Sequence, residues 1–103
     1  MKVVWTETAV AHLAAIHDYI AKTSPVYAQL MVRRIWERAG QLIQFPNSGR
    51  AVPEATTEGV RDMLEPPYRI IHKVGPERLE IIAVIHVRRG PDALDDAGSG
   101  RAT

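Results

Sequence analysis

Along the chain the apolar residues first form a short β-branched run, then recur at helical spacing, and finally take up the two-residue period of strands. Lys2 to Trp5 (KVVW) predicts a first strand, because β-branched and aromatic side chains suit a pleated, half-buried surface. Ala9, Leu13, Ile16 and Ile20 then follow at steps of four, three and four, a single stripe on a helix that ends near Lys22. Thr6 is placed to cap that helix by accepting a backbone N–H, and Glu7 sits favourably against its positive end. Thr23-Ser24-Pro25 breaks the pattern and restarts it: Ser24 suits an N-cap, and Pro25 suits a first turn that has no use for its missing N–H. A second helix is predicted to about Phe45, with Val26, Leu30, Met31, Ile35, Leu42 and Ile43 as its apolar face and Pro46 as its stop. So short a turn makes the two helices an antiparallel hairpin. Gly40 costs the second helix about 1 kcal/mol relative to alanine, which is explained either by close approach of another backbone or by simple tolerance of the cost.

Residues 46–59 (PNSGRAVPEATTEG) carry no periodicity and read as a long irregular loop, with Arg50 placed to tie it down through backbone carbonyls. VRDML, YRIIHKV and RLEIIAVIHVRR then read as three strands, linked so briefly that they must be consecutive antiparallel neighbours. The expected fold class is α+β: an N-terminal strand, an antiparallel helical hairpin, then a three-stranded antiparallel meander. Residues 1–90 form the expected single domain, and 91–103 (PDALDDAGSGRAT) a flexible tail.

Composition narrows the chemistry. The chain is 46% hydrophobic and 24% charged, an ordinary globular balance, and 103 residues leave room for one core. Without cysteine there is no disulfide framework, thiolate metal site or cysteine nucleophile. The N-terminal residues meet Thr6 and Glu7 too early for a secretory signal, and no apolar run reaches membrane-spanning length, so a cytoplasmic protein is expected. A net charge of +1 does not advertise nonspecific nucleic-acid binding. His12 and His17, five apart on a helix, do not make a metal site, and no cofactor is expected. Trp5 and Trp36 read as packing aromatics, and Arg33, Arg34, Glu37 and Arg38 as a solvated helix face.

The tryptophan before the first helix in VVWTETAVAHLAAIHDYI, the PNSGR loop, Arg61 opening a strand, YRIIHKV, and IIAVIHVRR closing the sheet together resemble the RelE/ParE superfamily of bacterial toxins, over residues 3 to 89. The resemblance implies a growth inhibitor of a toxin–antitoxin, plasmid-stabilising type, held in a hetero-oligomer by a cognate antitoxin. ParE-like members poison DNA gyrase, whereas RelE-like members cleave messenger RNA in the ribosome. A nontoxic relative that only pairs with a partner is the third alternative.

Strict alternation along the last strand places Leu79, Ile81, Ala83, Ile85 and Val87 under the helices, and Glu80, Ile82, Val84, His86 and Arg88 on the other face. That second face reads as an apolar strip with a basic rim, open to a partner unless the 46–59 loop covers it. The expected partner-binding residues are Arg61, Arg69, Ile82, Val84, His86, Arg88 and Arg89, their guanidinium groups meeting phosphate or carboxylate. A ribonuclease needs a general base, a general acid and cations around a charged phosphorane, and His86, Arg61 and Arg88 are the candidates. Strand parity separates His72, with Tyr68 and Ile70, from Arg69, with Ile71 and Lys73. No aromatic residue follows Tyr68 to stack a base, a contact worth roughly 1–3 kcal/mol, so gyrase binding without catalysis is the expected activity and RNA cleavage the alternative.

Overall fold

The computed structural model describes residues 2–52 and 58–88. β1 (Lys2–Trp5) leads into α1 (Glu7–Ala21) and α2 (Pro25–Gly40), the latter prolonged by a 3-10 turn at Gln41–Ile43. β2 (Arg50–Ala51), β3 (Val60–Glu65), β4 (Tyr68–Val74) and β5 (Arg78–His86) follow. The sheet order is β1-β5-β4-β3-β2. The expected meander is there, antiparallel through β3, β4 and β5. Two strands extend it: β1 runs parallel to β5, and β2, inside the segment read as irregular, pairs antiparallel with β3. The connection between the parallel strands β1 and β5 is the hairpin together with β2, β3 and β4, whose antiparallel reversals bring β5 into the direction of β1. The proposed tail at 91–103 lies outside the described residues.

The caps form as their residue types dictate. Thr6 Oγ1 accepts from the Ala9 N–H at 3.1 Å while its own hydroxyl donates to the Ile81 carbonyl at 2.9 Å, so one side chain starts α1 and fastens it to β5. Ser24 Oγ accepts from the Tyr27 N–H at 3.1 Å. The stripe of α2 that is buried is Ala28, Met31, Ile35 and Ala39, continued by Leu42. Val26 is 79% exposed, and Leu30 and Ile43 also face solvent, because α2 meets the core along this one narrow stripe.

β5 departs from strict alternation. Ile71 pairs with Ala83 but His72 pairs with Ile81, leaving Ile82 as an extra residue in a β-bulge. Before the bulge Leu79 and Ile81 face the helices. After it Val84 does, joining Ala9, Met31, Ile35, Leu42, Tyr68 and Ile70 in the main core. Ala83 and Ile85 turn to the opposite face, where they form a second buried cluster with Val52, Val60 and Ile71. The open strip expected around Ile82 and Val84 is therefore corrected: Val84 is 2% exposed beneath the helices, and Ile82 packs half-buried against the second cluster. β1 pairs with β5 only as far as Ile81, so the edge beyond it has no strand beside it. There α1 supplies a partner instead, His12 Nδ1 accepting the Val84 N–H at 3.2 Å.

Among the described residues Gly40 has no close neighbour: a Cβ at this position would meet nothing within 4 Å, which corrects the expected backbone approach. Its φ of −62° and ψ of −27° suit any residue. Gly40→Ala is expected to raise the unfolding free energy by about 1 kcal/mol, read from urea denaturation.

Candidate functional site

Aspartate is depleted in strands, and Asp62 in VRDML is accounted for by its neighbours. Its carboxylate is 2% exposed on the face opposite the helices. Arg69 grips Oδ2 through Nη2 at 2.6 Å and Nε at 2.7 Å, and Arg50 donates from Nε to Oδ1 at 3.0 Å. The register aligns these groups, with Arg50 opposite Asp62 across β2–β3 and Arg69 diagonal to it across β3–β4. A buried carboxylate is tolerated only when paired in this way. Arg50 thus holds β2 through the Asp62 carboxylate. Gly49 lets the chain pass close by: at φ 87° it takes a left-handed conformation, and a Cβ there would collide with the Asp62 carbonyl.

On the helix side Arg61 lies opposite His72 and donates to the Gly49 carbonyl at 3.3 Å. His72 is fully buried, its Nδ1 3.4 Å from the Ile70 carbonyl and its Nε2 without a hydrogen-bond partner. Burial, helped by the Arg61 charge, pushes its pKa below the ordinary imidazole value of 6.5, against smaller opposing effects of the Ile70 and Ser48 backbone and Asp62. The ring is neutral at pH 7.

At the far end of the sheet His86 lies opposite Tyr68, the rings edge to face at 5.7 Å. The Arg88 N–H donates to His86 Nδ1 at 3.1 Å, placing the proton of the neutral ring on Nε2, and the Val87 N–H donates to the Pro67 carbonyl at 2.9 Å. Burial raises the Tyr68 pKa, with the nearby Tyr27 and Tyr19 hydroxyls adding to the effect. Both of those tyrosines are exposed, and they line an open 340 Å³ hollow at the hairpin turn with Ile20, Lys22, Thr23 and Ser24. No sequence pattern marks these two tyrosines as functional: the strands carry no aromatic after Tyr68, whereas the hairpin brings two toward the same end of the sheet.

The candidate residues are thus dispersed. Arg61 and His86 share the helix-side face, but their partners on β4, His72 and Tyr68, are four residues apart, about 13 Å at roughly 3.3 Å per residue. Arg88 is exposed in the turn after β5. Arg69 is buried against Asp62, and Val84 beneath the helices, so neither presents a surface to a partner. Arg89 lies outside the described residues. Among the described residues no cluster of three or more His, Asp or Glu side chains could hold a metal, and no helix is long and apolar enough to cross a membrane.

Comparison with known proteins gives concordant matches. The family described as ParE toxin of type II toxin-antitoxin system, parDE, matches residues 3–91. A protein of Caulobacter vibrioides named Toxin RelE2 is 38% identical over 88 residues, which cover 85% of this chain and 97% of that protein. A solved structure of the chromosomal ParDE TA system from P. aeruginosa superposes with a TM-score of 0.70 at 31% identity, covering 84% of this chain and 95% of that one.

Asp62→Ala, which removes the carboxylate facing the buried Arg69 guanidinium, is expected to cost about 3–5 kcal/mol in denaturant unfolding. His72 binds its proton more weakly folded than unfolded, so stability is fully present above about pH 6.5 and falls as pH drops through the window below it. Thermal unfolding from pH 7.5 to 5 is expected to show that decline, and His72→Phe to flatten it.

Proposed function

This chain belongs to the ParE toxin family of type II toxin–antitoxin systems, and we propose that it inhibits growth by binding DNA gyrase and is silenced by a cognate antitoxin. The observation that carries the reading is the dispersal of the nuclease candidates. General acid–base catalysis requires donor and acceptor within hydrogen-bond reach of the reacting atoms. Arg61 and His86 are held at different levels of the sheet, Arg61 is engaged with the Gly49 carbonyl, and the Nδ1 of His86 is occupied by the Arg88 N–H. A protein that acts by occupying a target needs only a surface. The solved ParDE relative supports an antitoxin as the other partner, in a hetero-oligomer.

On this reading the contact surface centres on the end of β5, where Arg88 is exposed and His86 half-exposed, while Arg61 and Ile82 keep part of their surface in solvent away from that end. Arg88 stands in the turn directly after the strand, its backbone fastened to His86, so that its guanidinium projects from a fixed base toward carboxylate or phosphate. The relative named Toxin RelE2 makes ribosome-dependent messenger RNA cleavage the alternative to test.

Purified protein at micromolar concentration is expected to inhibit gyrase supercoiling, with stoichiometric antitoxin restoring it. Unaffected supercoiling together with new codon-positioned transcript ends after induction would replace this reading with the nuclease. Normal growth during overexpression without antitoxin would leave only a partner-binding relative. Arg88→Glu is expected to weaken target binding by about tenfold, ~1.4 kcal/mol, and to relieve growth inhibition with an unchanged thermal midpoint.

A further inference from the structure

Trp36 on α2 stacks on Trp5 of β1 with centroids 5.3 Å apart and planes 15° from parallel, yet it is 58% exposed. The stack fixes the ring, so the exposed indole face is a rigid apolar knob that loses little rotamer freedom on further contact. One helical turn later, on the same face of α2, Gly40 leaves open space where a side chain would begin. A helical side chain leans toward the N-terminus from its own Cα, so Trp36 leans away from Gly40 and leaves that notch uncovered. Ile43, a further turn on, is 54% exposed.

We infer that α2 pairs with α2 of a second copy of this chain in an antiparallel two-fold contact, each Trp36 seated on the Gly40 notch of the other copy. The spacing makes the surface self-complementary. Residues 36 and 40 are equidistant from 38, so a two-fold axis at the level of Arg38 brings knob to notch twice, as an isologous interface requires. The same axis sets Arg33 level with Ile43 of the second copy. Its aliphatic stem packs there while its guanidinium reaches the carbonyl end of that copy's α2, where the helix dipole is negative. Arg33 is exposed and on the same face as Trp36 and Gly40, and it provides the charge complementarity that selects an antiparallel arrangement. The contact uses the hairpin's outer surface and leaves the end of β5 free, so it stands independently of the gyrase reading.

A helix pair of this extent falls near the lower bound of specific interfaces, about 1,000 Å², where association is weak and concentration-dependent. Sedimentation equilibrium of the full chain is expected to show a mass rising from 11.5 kDa toward twice that value as concentration increases. The loading series spans about 5 to 500 μM, which brackets a Kd of order 10⁻⁵ to 10⁻⁴ M. Gly40→Leu fills the notch at a position where an added Cβ meets no described residue within 4 Å. That variant is expected to raise the dimer Kd by about tenfold or more with helical circular dichroism retained. Trp36→Ala and Arg33→Glu are expected to weaken association in the same direction. A mass that stays at 11.5 kDa throughout would overturn the inference, as would a dimer indifferent to Gly40→Leu. So would a monomeric chain in which Gly40→Leu instead lowers antitoxin affinity, because the notch would then belong to the antitoxin.

Discussion

β5 is nine residues long and carries apolar side chains for two separate layers, which a strand of strict alternation could supply only by keeping one parity for each layer throughout. The extra residue at Ile82 removes that restriction. Leu79 and Ile81 fill the helix side before the bulge, Val84 fills it afterwards, and Ala83 and Ile85 pass to the opposite layer. The main core beneath the hairpin and the second cluster on the other face both depend on this local change of register. So does the placement of His86, which the reversal brings to the helix side against Tyr68. His12 is part of the same arrangement, since it occupies the Val84 N–H where β1 no longer runs beside β5.

The other constraint is electrostatic. Asp62 is buried in the third strand, where an isolated carboxylate would carry a desolvation cost of several kcal/mol. Arg69 and Arg50 offset it, one from the neighbouring strand and one from the two-residue edge strand. This interaction joins three consecutive strands and gives the short β2 a side-chain anchor beyond its few backbone hydrogen bonds. Gly49 makes the approach possible by taking a left-handed conformation in a space too small for a Cβ. Arg69, expected from the sequence to meet a partner, is buried against Asp62 as a structural device.

For function, the arrangement separates two kinds of toxin chemistry within one fold. Phosphodiester cleavage depends on the convergence of an acid, a base and cations at one atom-sized location, whereas inhibition by occupancy depends on a surface that persists. Here His72 is buried and neutral, and His86 at the sheet's end packs against Tyr68. Arg88, in the turn after β5, faces solvent. The two tyrosines of the hairpin show that aromatic surface near that end need not come from the last strand.

Local signals were sufficient for much of the fold. Thr6 and Ser24 cap the helices through hydroxyls that any extended chain would carry in the same places, and Gly75 to Arg78 turns one strand into the next, because such features depend on residues a few positions apart. The stripe of Met31, Ile35 and Leu42 was legible for the same reason, although Val26, Leu30 and Ile43 show that periodicity does not say how wide a helix's buried stripe will be. The parallel pairing of β1 with β5, the bulge at Ile82, and the union of Asp62 with Arg50 and Arg69 join residues distant in sequence. The amino-acid sequence by itself determined the two helices, the strands other than β2, their order and the family. Only the tertiary structure decided which face each residue of β5 occupies, and with it which candidates are buried, because a single inserted residue reverses every side chain after it and its position is set by packing between strands and helices.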